Sequence, residues 1–241
     1  MIKNNIIGVL GGMGPYASLR CYNLLLNLSI KYSKGINNND FPHIIIDNIP
    51  VKDLTRNNEN LLETVSFVRN EFLKLKGIGV NIFLMACNTM HLYYNDIFET
   101  NNDLIILSLI NETVTQIKKD GHKIVGILGS TNTIKSSLFQ KSLEEKGILG
   151  VVIDDDIILE NINNIILKII GGKKDLDSNE INILKKSISI LQDKGATGII
   201  LGCTELPVVF DLLSTSIKLY DPLIITIEKA CKIYYNTIFS N

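Results

Sequence analysis

No Cys-x-x-Cys pair occurs in this chain, although it holds four cysteines, Cys21, Cys87, Cys203 and Cys231. Such wide spacing argues against a structural zinc site and against a disulfide framework, so metal ligation is not expected and four thiols remain to be explained. Charge of one sign is equally scarce. The formal net charge is -1, with 24 Lys and Arg against 25 Asp and Glu mixed along the sequence. Neither nucleic acid nor an anionic membrane is an expected partner for such a surface. No segment approaches the roughly eighteen consecutive apolar residues of a membrane span. The N-terminal MIKNNIIGVLGG carries a five-residue apolar run, too short for the hydrophobic region of a secretion signal. A soluble, cytoplasmic protein is expected, and with 46% hydrophobic residues in 241 it can bury a sizeable core.

What is present is a rhythm of short apolar runs and amphipathic segments. Strands are predicted at 6–10, 43–47, 80–86, 104–109, 123–129, 150–154, 197–202 and 217–221. Between them, Leu61, Val65, Val68, Phe72 and Leu75 recur at helical spacing, as do Ile181, Leu184, Ile188 and Leu191. Strand and helix in alternation predict an α/β fold with parallel sheets covered by helices. The order also repeats. IGVLGG at 7–12 returns as VGILGS at 125–130, and KGIGVNIFLMACNT, with Cys87, returns as KGATGIILGCTE, with Cys203. The first glycine and the cysteine are displaced by nearly the same amount, the mark of a duplication. No Pro- or Gly-rich linker separates the halves, so they are expected to pack directly together: 1–112 first, 113–221 second, with a C-terminal helix, about 222–241, a candidate to pack back on the first.

Ligands of parallel sheets bind at the carboxyl ends of the strands. Four such ends carry glycine or polar residues here: Gly11 to Gly14, Cys87 to Thr89, Gly129 to Asn132 and Cys203 to Glu205. If the halves face each other, these segments line one cleft with a thiol on each side. Two opposed thiols suit inversion of a carbon bearing an acidic hydrogen, one acting as base and the other as acid. With about 3–3.5 Å from each sulfur to the reacting centre, the sulfurs stand about 6–8 Å apart. A disulfide needs only about 2 Å. A thiol of pKa near 8.5 is only a few per cent thiolate at about pH 7, and amides at a following helix N-terminus favour the thiolate.

GVLGGMGP near the N-terminus, CNTMH at 87–91 and GCTELP at 202–207 resemble the aspartate/glutamate racemase family of cofactor-independent amino-acid racemases, in order and over essentially the whole chain. The resemblance implies two similar flavodoxin-like or Rossmann-like α/β domains with parallel sheets, a pseudo-duplication with the active site in the interdomain cleft, commonly in a homodimer. It implies no cofactor and an amino-acid substrate, aspartate or glutamate. Cys87 and Cys203 become the acid/base pair, and Met13 and Gly14 line the site. Asn88, Thr89 and Thr204 hold carboxylates, with Thr131 a further candidate, and Glu205 orients or tunes Cys203. Aspartate-specific members are expected to carry an arginine after the second strand and a lysine before the penultimate helix. Leu54 falls at the first of these positions, which leaves Arg56 and Lys173 as the basic candidates.

Other readings stand beside these. Gly12 to Ala17 fits the G-x-G-x-x-A turn of a dinucleotide site, and a nucleotide-dependent oxidoreductase would use it so. Its counterpart GSTNT lacks the pattern, however, and no acid follows at the expected distance. A hydantoin or other carboxylate isomerase, or a non-catalytic amino-acid sensor, fits the same fold. Cys21 and Cys231 read as core residues in helices. His91 reads as a local hydrogen-bonding residue or a polariser of Cys87, Glu205 equally as an acid favouring a helix N-terminus, and Thr131 and Thr133 equally as helix caps.

Overall fold

The computed structural model describes residues 5–33, 37–52, 61–98, 103–173, 175–210, 213 and 215–239. The first half runs β1 (Ile6–Gly11), α1 (Pro15–Ser29), β2 (His43–Asn48), α2 (Leu61–Gly77), β3 (Ile82–Met85), α3 (Tyr94–Ile97), β4 (Ile105–Leu107) and α4 (Leu109–Lys119). The second runs β5 (Ile124–Leu128), α5 (Thr131–Lys135), α6 (Leu138–Glu144), β6 (Leu149–Val151), α7 (Asp156–Ile170), α8 (Ser178–Asp193), β7 (Gly198–Leu201), α9 (Pro207–Phe210), β8 (Lys218–Tyr220) and α10 (Pro222–Phe239). Each predicted strand has its counterpart here.

The strands form two four-stranded parallel sheets, ordered β2-β1-β3-β4 and β6-β5-β7-β8. The same order in both expresses the sequence repeat in three dimensions. β1, β3 and β7 are buried along their whole length, which is why they read as unbroken apolar runs, whereas the edge strand β2 is only half-buried. The repeated glycine has a steric cause. A Cβ at Gly8 would lie 2.5 Å from Val80 Cγ1, and one at Gly126 would lie 2.9 Å from Leu191 Cβ. In both halves a neighbouring side chain uses the space that a larger residue would fill.

Helices cover the sheets with the faces that their spacing predicts. Val65, Val68, Phe72 and Leu75 of α2 pack beneath β1 and β3, and Leu184, Ile188 and Leu191 of α8 join the core of the second sheet. On the other face of the first sheet, α10 packs against α1: Leu223, Ile227, Ala230 and Cys231 share a core with Cys21 and Leu25. Cys21 and Cys231 are thus apolar fillers, and burial raises both thiol pKa values. α4 joins the halves, with Leu109 in the first core and Ile110, Val114 and Ile117 in the second.

Strand boundaries differ from expectation by one to three residues, most at 150–154, where β6 spans Leu149–Val151. The predicted strand 104–109 ends at Leu107, because the Ser108 hydroxyl accepts from the Asn111 amide and starts α4.

Candidate active site

The turn after β1 is held by backbone geometry. Gly12 has φ +85° and Gly14 φ +112°, values that side chains with a Cβ rarely adopt. A Cβ on Gly12 would lie 2.3 Å from the Ile49 carbonyl oxygen, and one on Gly14 only 1.6 Å from Glu205 Oε1. The Gly12 amide donates to Ser18 Oγ at 2.8 Å, and that hydroxyl donates to the Gly14 carbonyl at 3.2 Å. Protein groups therefore account for the glycines of this turn.

Four strand ends converge on one cavity of about 160 Å³. β1 supplies Gly12, Met13 and Gly14, while β3 supplies Cys87, Asn88 and Thr89. From the second half come Ser130 after β5 and Cys203, Thr204 and Glu205 after β7. Both cysteines thus reach the same space from different sheets. Among the described residues, three hydrogen-bond contacts join the halves around it. The Thr204 hydroxyl donates to the Ala86 carbonyl at 3.4 Å, the Ala17 amide donates to Glu205 Oε1 at 3.4 Å, and Thr89 and Thr133 hydroxyls lie 3.1 Å apart.

Local charge is set by burial. Burial, then the Glu205 carboxylate, pushes the Cys203 thiol up, while the amides of Glu205 and Leu206 donate to its sulfur and pull it down. Glu205 is itself buried, and loss of solvent raises its carboxyl to about 7, against the Ala17 amide and the Arg20 charge, which lower it. Its Oε2 and both polar atoms of the Asn88 side chain are buried without hydrogen-bond partners. Groups so placed beside a cavity have bonds to offer a ligand.

His91 sits one turn beyond Cys87, inside a 3-10 turn over Thr89–Tyr93. The Leu109 amide donates to His91 Nε2 at 3.0 Å, so Nδ1 carries the proton and donates to the Cys87 carbonyl at 2.8 Å. Burial holds the ring neutral and lowers its pKa to about 4. An unfolded histidine takes its proton near pH 6.5, so the unfolded state binds more protons between those values. Stability attributable to His91 is therefore complete above about pH 6.5 and falls as the pH drops towards 4, by on the order of 3 kcal/mol. Urea melts across that range should reveal the loss, and His91→Gln should remove that share of the slope.

Several candidates fall elsewhere. Thr131 is not on the cavity wall: its amide donates to Asn163 Oδ1 at 3.0 Å, and its hydroxyl accepts from Asn163 Nδ2 at 2.7 Å. Ser130 both lines the cavity and caps α5, accepting from the Thr133 amide, so neither threonine is the cap. Lys173 is exposed and outside the lining, while Leu54 and Arg56 lie outside the described residues. Lys52, Val51 and Ile170 line the cavity without having been singled out from the sequence. Ser130 had a signal, since VGILGS sets it where IGVLGG has Gly12. Lys52 had a signal as well, since the resemblance implies a cation after the second strand, but Leu54 at the expected position turns attention to Arg56 instead.

A model of the Asp/Glu/Hydantoin racemases matches residues 10–230. The chain belongs to this family. Among curated family members, the broad specificity amino-acid racemase RacX of Bacillus subtilis is 27% identical over 216 residues, covering 90% of this chain and 92% of its own. An aspartate racemase homologue from Pyrococcus horikoshii OT3 superposes with a TM-score of 0.76 at 28% identity, over 96% of this chain and 99% of that one. The aspartate racemase of Picrophilus torridus shares the racemase fold, with a TM-score of 0.74 at 22% identity over 95% and 94% of the two chains.

Proposed function

We propose that this chain is a cofactor-independent racemase of acidic amino acids, in which Cys87 and Cys203 take and return the α-proton from opposite faces. The observation that carries the reading is one thiol from each half on the wall of a single cavity. In one direction the Cys87 thiolate removes the proton while the Cys203 thiol delivers one to the other face; in reverse the roles exchange. Charge leaving the α-carbon flows into the substrate carboxylate, where donors stabilise it. Asn88, with its amide unpartnered and buried, is the first of these donors, with Thr89 and Ser130 beside it.

Lys52, the cation among the described lining residues, takes the side-chain carboxylate of aspartate or glutamate. A chiral assay of the purified chain on both enantiomers of aspartate, glutamate, alanine and methionine, with no cofactor added, tests the reading. Turnover of an acidic pair is expected, and silence on every pair contradicts it. Lys52→Met should lower kcat/KM for acidic substrates by about 10–100-fold, the worth of one charge-assisted bond, and spare neutral ones. Equal loss on both classes would contradict the role given to Lys52. A second reading, turnover of neutral amino acids, is favoured by the apolar Met13, Val51 and Ile170 on the same wall and by the broad specificity of the Bacillus relative. The neutral pairs in the assay decide between them.

A further inference from the structure

His91 is held between two backbone groups that belong to different parts of the first half. One is the carbonyl of Cys87, on the cavity wall; the other is the amide of Leu109, the first residue of α4. The ring is buried and stacks on Tyr94 with centroids 5.7 Å apart, and the Tyr94 hydroxyl donates to the Ile106 carbonyl at 3.1 Å. The loop after β3 is thereby clamped to the corner between β4 and α4. A trans peptide is planar, so holding the Cys87 carbonyl also fixes the Asn88 amide, which points the opposite way. Turning that peptide over would replace a donor with an acceptor at Asn88, a lining residue. It would also change the backbone dihedral that aims the Cys87 side chain.

We infer that His91 is a positioning residue. Through the Cys87 carbonyl it fixes the peptide that carries the Cys87 thiol on the cavity wall, and through Leu109 it ties that peptide to the N-terminus of α4. The role rests on reading Cys87 as a working thiol, whereas the two bonds that define it do not.

The two bonds can be separated by substitution. In His91→Asn the side-chain amide nitrogen takes the place of Nδ1 and reaches the Cys87 carbonyl. In His91→Gln the amide oxygen takes the place of Nε2 and accepts from Leu109, leaving the carbonyl unheld. The full-length variants are treated with iodoacetamide, and the alkylation rates of Cys87 and Cys203 are compared by peptide mass spectrometry. The Cys87 to Cys203 rate ratio should shift by about threefold or more in His91→Gln, and should stay near the wild-type value in His91→Asn. With a turned-over substrate in hand, kcat should fall by about 10–100-fold in His91→Gln with KM little changed. Each variant decides on its own if the other does not fold. An unshifted ratio in His91→Gln, or a shifted one in His91→Asn, overturns the inference. The alkylation ratio needs no turnover, so it stays readable if the racemase reading itself fails.

Discussion

Replacing either Cys87 or Cys203 by alanine is expected to lower interconversion of enantiomers by about 10³-fold, within the range for loss of a general acid or base. The two sulfurs come from different sheets, so neither can take over the other's face of the substrate. Loss of folding does not explain such a result, because both are compact side chains whose truncation leaves the hydrogen bonds between the halves in place. Each variant should also keep half of the chemistry. With one thiol left, the proton of one enantiomer can still be removed and returned on the same side. In D2O the Cys87→Ala and Cys203→Ala proteins should therefore exchange the α-hydrogen of opposite enantiomers, each without inversion. A single-cysteine variant that interconverts enantiomers at the wild-type rate would contradict the assignment.

Gly14→Ala should be the most damaging change at a residue with no reactive group. The new Cβ would fall 1.6 Å from Glu205 Oε1, and the backbone there, at φ +112°, suits glycine alone. Overpacking and backbone strain each cost about 1–3 kcal/mol, so a loss of about 3 kcal/mol or more is expected in urea melts. Glu205 has to move, and it is adjacent to Cys203 and bonded to the Ala17 amide, so kcat/KM should fall by about 10²-fold as well. Glu205→Ala opens the space, and the double variant should recover part of the lost stability, with a coupling of about 1–3 kcal/mol. Additive losses would mean that Gly14 is required by its dihedral alone and not by the carboxylate packed on it.

Most of the fold was legible because its central strands are buried on both faces. β1, β3, β5 and β7 read as apolar runs, and their repetition announces two sheets of one design. The cysteines were legible for the same reason, since each ends the same strand of its own half. What local pattern could not convey was pairing at a distance. Asn163 on α7 claims Thr131, and no spacing near residue 131 foretells a partner 32 residues away. Glu205 needs Gly14, 191 positions earlier in the chain (205 − 14), so the glycine turn resembles a nucleotide loop until its neighbour is seen. Lys52 lines the site from beyond an edge strand, where no periodic pattern marks a side chain for the cavity. Ser108 was read as strand because it follows an apolar run, whereas its hydroxyl is used to start a helix.

The proposed racemisation uses two thiols on opposite faces of one carbon. Deuterium labelling of the wild-type chain in D2O, with L-aspartate and then L-glutamate followed at early times, tests it most directly. The product D-enantiomer should carry solvent deuterium at the α-carbon while the remaining L-substrate keeps its hydrogen, since the proton is removed by one thiol and replaced by the other. Deuterium entering the recovered substrate as fast as the product would contradict that mechanism, as would inversion with the original hydrogen retained.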